Sequence, residues 1–368
     1  MNVQFYTASR EYQKLKNEID AAVQTVCTKG DFILGEAVGR FEKNAAAYLQ
    51  TKHAVGNSSG SEALLLGLHA LNVKPGDEVI TTPFSFFATV SSIVRMGARP
   101  VFIDIDPKTF NIDAANIEKA VTKKTKAILP VHLFLQTADM DVILDVAKRH
   151  SLGVLEDAAE AFGMEFNGKK AGTMGDIGIY SFYPTKTLGG YGDGGLLTTD
   201  NDELAARLKM LRVHGSAKRY YHDEVGYNSR LDSIQAAILD IKLKYIEKSI
   251  ATRKEIGKKY TSLLKDVGDL ELPYIAPNRR EVYYVYSILT DKRDALAEYL
   301  KEKGVGTTIY YPLPLHMQKC FEEMGHKKGD FPNAEKTSER ILALPIYPEL
   351  GDDEIDYTIS CVKEFFRK

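Results

Sequence analysis

Cysteine is scarce in this 368-residue chain: Cys27, Cys320 and Cys361 are odd in number and far apart. That excludes a disulfide framework and argues for a reduced, cytoplasmic setting. An excess of charge of either sign is also missing. The 48 Lys and Arg against 50 Asp and Glu leave a net charge of −2. No basic field exists to hold nucleic acid or an anionic membrane by electrostatics alone. The longest apolar runs fall far short of the ~20 residues a transmembrane helix needs. The polar start MNVQFYTASREYQKLKNEID lacks the apolar core of a signal peptide. The eight histidines show no metal spacing, and HExxH, CxxC and EF-hand patterns are absent, so no metal is expected. What remains is an ordinary soluble composition, 44% hydrophobic and 27% charged. The length suits two domains, or one large domain with a smaller one attached.

Apolar periodicity predicts helices over 11–28 and 36–50, and another at 60–72 after the small polar turn NSSGS. Short β-rich runs follow: EVITT (78–82), PVFID (100–104), KAILPV (126–131), LGVLE (152–156) and IGIYSF (177–182). Helical stretches such as 138–150 separate them. This alternation predicts an α/β fold with a mostly parallel central sheet covered on both faces. GLLTTD (195–200) reads as a hairpin-like return strand. Helices are expected at 202–213 and over a long stretch, 230–265, where the domain joint is placed near residue 250. Residues 1–250 then form a large α/β domain. Residues 251–368, mixing VYYVYSIL (282–289) with helices at 292–304 and 333–342, form a small C-terminal α+β domain.

The chemistry concentrates where two strands end. IGIYSF leads into a lone lysine, Lys186, followed at once by the glycine-rich GGYGDGG. About 30 residues upstream, VLEDAAEAFG (154–163) ends an apolar run in carboxylates, Asp157 first beyond the expected strand. Ligands of parallel sheets bind past such ends. A lysine and an aspartate placed there suggest pyridoxal 5′-phosphate, the amine binding its aldehyde and the carboxylate pairing with its ring nitrogen. A charged hydrogen bond of that kind is worth roughly 1.5–3 kcal/mol. Ser59, Gly60, Ser61 and Glu62 open the helix at 60–72 and offer N–H groups for a phosphate; helix capping by serine explains the same letters equally well. Phe86 and Phe87, just past a strand end, are candidates to stack on a ring or to fill the core.

Six segments occur in order: SSGSEALLLGL, GDEVITTPFSFFAT, LEDAAEAFG, YSFYPTKTLGGYGDGG, VGYNSRLDSIQAAIL and YYPLPLHMQ. Together they resemble the DegT-type nucleotide-sugar aminotransferases, a branch of the fold-type-I pyridoxal-phosphate enzymes, from about residue 10 to the end. The resemblance implies that Lys186 is the Schiff-base lysine and proton shuttle, and that Asp157 pairs with the pyridinium nitrogen. It places Glu160 at the cofactor's phenolic oxygen, Phe86 on its ring, and Ser61 with its neighbours and Ser181 at its phosphate. Asn228 would reach the phosphate in the neighbouring subunit of a homodimer. Arg230, from that neighbour, is a candidate for the substrate diphosphate or the donor carboxylate. Lys218, Arg219, Tyr310 and His316 are candidate substrate contacts, or equally polar rim residues near the joint.

Two departures stand out. Glu160 replaces a common Gln and adds negative charge beside a phenolate, which costs energy unless one of the two is protonated. Phe134 and Leu135 replace a common Tyr-Gly, implying a different local backbone or a narrower pocket. Lys186 itself argues against the branch that carries His there and removes a sugar hydroxyl. The implied activity is transfer of an amino group from L-glutamate to a nucleotide-diphosphate keto-sugar, 3-keto rather than 4-keto, in amino-sugar biosynthesis. Two other readings are a non-catalytic regulator of the same fold and a nicotinamide-dependent sugar dehydrogenase. The latter lacks a glycine fingerprint after its first strand.

Overall fold

The computed structural model describes residues 1–367. Its centre is a seven-stranded sheet. In chain order the strands are β1 (His53–Asn57), β2 (Glu78–Thr81), β3 (Arg99–Phe102), β4 (Thr125–Ile128), β5 (Gly153–Asp157), β6 (Ile177–Ser181) and β7 (Gly195–Thr199). Their spatial order is β1-β7-β6-β5-β4-β2-β3. Only β7 runs against its neighbours, pairing antiparallel with β1 and β6; the other pairs are parallel. The expected mostly parallel α/β sheet is therefore observed, with GLLTT as the return strand. β1 is the one central strand that periodicity did not single out: HAVGN is short and holds only two apolar side chains.

Strand alternation sends side chains to two cores. Val55, Ile177, Ile179 and Leu197 join a cluster with α3 (Gly60–Ala70), α4 (Phe87–Arg95) and α6 (Asp202–Leu211). Ala54, Tyr180 and Leu196 face the opposite cluster, with α2 (Glu36–Leu49) and α7 (Ser233–Leu243). α1 (Ser9–Lys29) lies against α7, and α5 (Met140–His150) covers Ile80, Ile128 and Val154.

The long helix expected over 230–265 is two helices, α7 and α8 (Ile246–Leu264). The Lys244 and Tyr245 N–H groups bond back only three residues, to Ile241 and Lys242, and this tight turn redirects the chain. Residue 250 falls inside α8. Ile246 and Ile250 pack with the sheet's core, whereas Ile256, Tyr260 and Leu264 belong to a separate cluster. That cluster is completed by β8 (Tyr286–Leu289), α9 (Arg293–Glu302), β9 (Ile341–Leu344) and α11 (Asp352–Arg367), with β8 and β9 antiparallel. α10 (Pro332–Arg340) ends where β9 begins, so the helix expected over 333–342 stops two residues early. Residues 282–285 are not strand: the Val282 and Tyr284 N–H groups bond to Leu135 and Phe134 carbonyls in a loop of the large sheet. The N-terminus also crosses over, Val3 bridging to Val305. Among the described residues no helix is long and apolar enough to cross a membrane.

Gly178, in the middle of β6, lies against the Gly172 carbonyl, and any Cβ there would overlap it. Thr198 Oγ1 donates to the same oxygen at 2.5 Å, so the turn cannot withdraw freely. Gly178→Ala should therefore cost about 1–3 kcal/mol, as overpacking does. Denaturant unfolding would show it; an unchanged midpoint would mean that the 172 turn yields.

Candidate active site

β5 and β6 are parallel neighbours with Asp157 beside Ile179, so both release their chain on the same edge of the sheet. The loops after β2 and β4 and the start of α3 open there too. Together they enclose a cavity of about 640 Å³ lined by Ser59, Gly60, Ser61, Phe86, Asp157, Glu160, Ser181, Lys186 and Tyr310. Nine residues expected from sequence are thus brought to one place.

Asp157 is 4% exposed. Its carboxylate accepts from Thr89 Oγ1 at 2.8 Å and from the Ala159 N–H at 3.2 Å. Burial pushes its pKa up, although Thr89, Ala159 and the Lys186 charge pull it down. Both hydrogen bonds come from neutral donors, which leaves this carboxylate able to accept from a cationic N–H.

The Lys186 Nζ donates to Glu160 Oε1 at 3.1 Å and lies 4.4 Å from the centroid of the Tyr284 ring. Burial lowers the ammonium's pKa, but the Glu160 charge and Tyr284 more than reverse this, and it ends above the ordinary lysine value. Glu160, 6% exposed, also accepts from the Phe134 N–H at 3.1 Å and the Tyr311 hydroxyl at 3.3 Å. The charge that the sequence left unbalanced therefore faces an ammonium and two neutral donors. Phe134 adopts φ 61°, and the Leu135 N–H closes back on the Leu133 carbonyl at 2.8 Å. Leu135 packs into the C-terminal core and does not line the cavity, so it does not narrow the pocket directly.

Opposite lies the start of α3. Ser59 Oγ caps the Glu62 N–H at 3.2 Å, and the Ser59 carbonyl takes the Ala63 N–H. The Gly60 and Ser61 N–H groups are left at the open end of the helix, where its dipole favours an anion. Ser181 abuts this end so closely that a Cβ on Gly60 would come within 2.7 Å of the serine Cβ. Phe86, 57% exposed, stands at the mouth with its ring 6.4 Å from that of Tyr311. An anion cradle, an exposed ring, a buried carboxylate with neutral donors and a lysine in one cavity fit pyridoxal phosphate.

Other expected residues lie elsewhere. Glu62 binds Arg95 at 3.0 Å, its N–H already capped by Ser59. Asn228 and Arg230 open on an adjoining hollow of about 720 Å³ that shares Ser59, Ser61 and Asp193 with the cavity. Arg230 makes no hydrogen bond or ion pair among the described residues. Lys218 and Arg219 sit on an exposed loop, over the rings of Tyr221 and Tyr220 at 4.9 Å each, and line neither space. His316 is buried, 3.0 Å from Glu335 Oε1 and against Phe331; it is a core histidine, its pKa lowered by burial. Sequence reasoning missed Thr89, Tyr284 and Tyr311. Thr89 and Tyr311 lie inside segments already quoted. Tyr284 was hidden because VYYVYSIL reads as a buried strand.

The family model of the DegT/DnrJ/EryC1/StrS aminotransferases matches residues 13–363. A relative from Geobacillus stearothermophilus, described as a pleiotropic regulatory protein, is 49% identical over 100% of this chain and 99% of its own. A UDP-2-acetamido-2-deoxy-3-oxo-D-glucuronate aminotransferase from Pseudomonas aeruginosa is 39% identical over 96% of this chain and 97% of its own. The crystal structure of S. venezuelae DesV in complex with a ketimine intermediate superposes with a TM-score of 0.97 at 38% identity, covering 100% of this chain and 99% of that one.

Because Glu160 raises the Lys186 pKa, Glu160→Gln should lower it. In cofactor-free protein, labelling of Lys186 by an amine reagent should then reach its midpoint at lower pH, read by peptide mass spectrometry. An unmoved midpoint would remove Glu160 from this role.

Proposed function

The chain belongs to the DegT/DnrJ/EryC1/StrS aminotransferase family and is a pyridoxal-phosphate-dependent transaminase, and on that premise we propose that it aminates a 3-keto sugar carried on a nucleoside diphosphate, with L-glutamate as donor. Amino-sugar transamination is the function its relatives support. The observation that carries the finer reading is Arg230, without an ion-pair partner among the described residues, in a hollow at the rim of the Lys186 cavity that shares Ser59, Ser61 and Asp193 with it. A guanidinium without an acidic partner suits the diphosphate of a nucleotide sugar or the carboxylate of glutamate. The 3-keto assignment draws on VGYNSRLD and YYPLPLHMQ, and the Pseudomonas aeruginosa relative is described as acting on a 3-oxo sugar.

Pyridoxal phosphate, when bound, supplies an electron sink and carries the amino group from donor to acceptor. The chain does the rest. Lys186 Nζ takes the proton from the donor's Cα and later returns one to the sugar carbon. Asp157, held by Thr89, keeps a positive charge opposite it in place. The α3 N-terminus and Ser181 hold the phosphate, and Phe86, Tyr310 and Tyr311 cover the site. Because one cavity serves both substrates in turn, the kinetics are double displacement. Asn228 and Arg230 lie at the rim with exposed Phe32 and Ile33 nearby, which supports a homodimer in which they serve the partner's cavity. One finding favours a second reading, a regulator that retains the cofactor: the description of the Geobacillus relative.

Adding L-glutamate to the holoenzyme should bleach the cofactor's long-wavelength absorbance, and a 3-keto nucleotide sugar should restore it. A spectrum indifferent to every amino donor would favour the regulator. Lys186→Ala should lose at least about 10²–10⁴-fold in turnover, the usual contribution of a positioned acid–base group; sustained turnover would overturn the assignment. Mixing inactive Lys186→Ala with a weakened Arg230→Ala variant should restore activity if the dimer shares its sites. Absence of rescue in mixed dimers would place Arg230 in its own subunit's cavity.

A further inference from the structure

Arg253, on α8, is a buried cation that the reaction above leaves unused. It is 3% exposed. Among the described residues no carboxylate lies within ion-pair distance of it. Its Nη1 donates instead to three main-chain carbonyls: Tyr283 at 3.2 Å, Tyr284 at 3.4 Å and Ile346 at 2.8 Å. Its Nε has no hydrogen-bond partner among the described residues. Burying a guanidinium without a counter-ion is costly, and an apolar side chain of similar volume would fill the space more cheaply. The value of the arginine lies in what its Nη1 holds.

It holds Tyr284. That residue's N–H bonds to the Phe134 carbonyl at 3.2 Å, its hydroxyl lies 3.2 Å from Thr185 Oγ1, and its ring stands 4.4 Å from Lys186 Nζ. An ammonium over a tyrosine face is stabilised electrostatically, the more so when desolvated. The titratable groups that face the guanidinium electrostatically are Tyr6, Glu11, Glu349 and Tyr284. Glu11 and Glu349 are themselves paired with Lys242 and Lys14.

We propose that Arg253 is a positioning residue for the transamination, fixing the Tyr284 main chain so that its ring is held against the Lys186 ammonium. The inference rests on the role read above for Lys186. It is tested with Arg253→Lys and Arg253→Met in the holoenzyme and in cofactor-free protein; the lysine variant keeps the test alive if the methionine variant fails to fold. Tyr260→Phe is the control. It removes another α8 clamp, from the Tyr260 hydroxyl to the Pro345 carbonyl at 2.9 Å, without touching Tyr284.

The Arg253 variants should lose about 10–100-fold in kcat, as small misplacements of a reacting group do, with the KM for glutamate little changed. Lys186 labelling in cofactor-free protein should move its midpoint to lower pH. Tyr260→Phe should lower the melting temperature yet leave that midpoint in place. An unmoved midpoint with normal kcat in the Arg253 variants overturns the proposal, and so does an equal shift in Tyr260→Phe. If Lys186→Ala is inactive while the Arg253 variants behave as wild type, only this inference falls; if Lys186→Ala turns over, the reading beneath it falls first.

Discussion

The site is governed by a charge imbalance among buried and part-buried side chains. Lys186, Glu160 and Asp157 share one cavity, so two carboxylates face a single ammonium. Glu160 takes the lysine directly, and its charge adds to the burial that pushes Asp157 up. In a low-dielectric pocket such an imbalance is expensive unless a further positive group arrives. A protonated ring nitrogen against Asp157 would be that group. The ion pair also restrains the lysine; in the role proposed for it, Lys186 must leave Glu160 before it acts as a nucleophile or base. On that reading, binding and chemistry are coupled through one carboxylate.

Holding these charges requires the two halves of the chain to meet accurately, and they do so at residues 282–284. There the N–H groups of Val282 and Tyr284 bond to the Phe134–Leu135 turn, and Arg253 grips the carbonyls of Tyr283 and Tyr284. The Phe134 N–H, in the same turn, holds Glu160. One irregular stretch therefore touches both partners of the ion pair: Glu160 through the turn and Lys186 through the Tyr284 ring. A regular strand over 282–285 would have committed these backbone groups to a neighbouring strand and left none for the turn.

Much of this was legible in the letters. Periodicity located six of the seven central strands, and the lysine after IGIYSF and the aspartate after VLE marked the edge where the cavity opens, because strand ends and breaks in apolar pattern are local signals. What escaped was non-local. The break between α7 and α8 lies in a stretch whose apolar spacing is continuous. Tyr284 looked like core because the contact that sets it apart is with a lysine about a hundred residues upstream. His316 reads as a contact or a rim residue, and not as core, because its neighbour Phe331 and partner Glu335 are invisible from YYPLPLHMQ. Arg253 gave no signal at all, since its partners are carbonyls, which every residue possesses.

Glu156 and Asp157 show most directly what the letters could not settle. They are adjacent on β5, so their side chains leave on opposite faces of the sheet. Glu156 is fully buried and accepts from His132 Nε2 at 2.8 Å and from the N–H groups of Gly172, Met174 and Gly175 at 2.8, 2.6 and 2.5 Å. Four donors saturate it, and its work is to pin the 172–175 turn and the His132 loop. Asp157 has two neutral donors and a cavity in front of it. In sequence both are carboxylates ending an apolar run. What separates the saturated acid from the one facing the cavity is the number of hydrogen bonds the fold leaves unmade, and that number is set by loops distant in the chain.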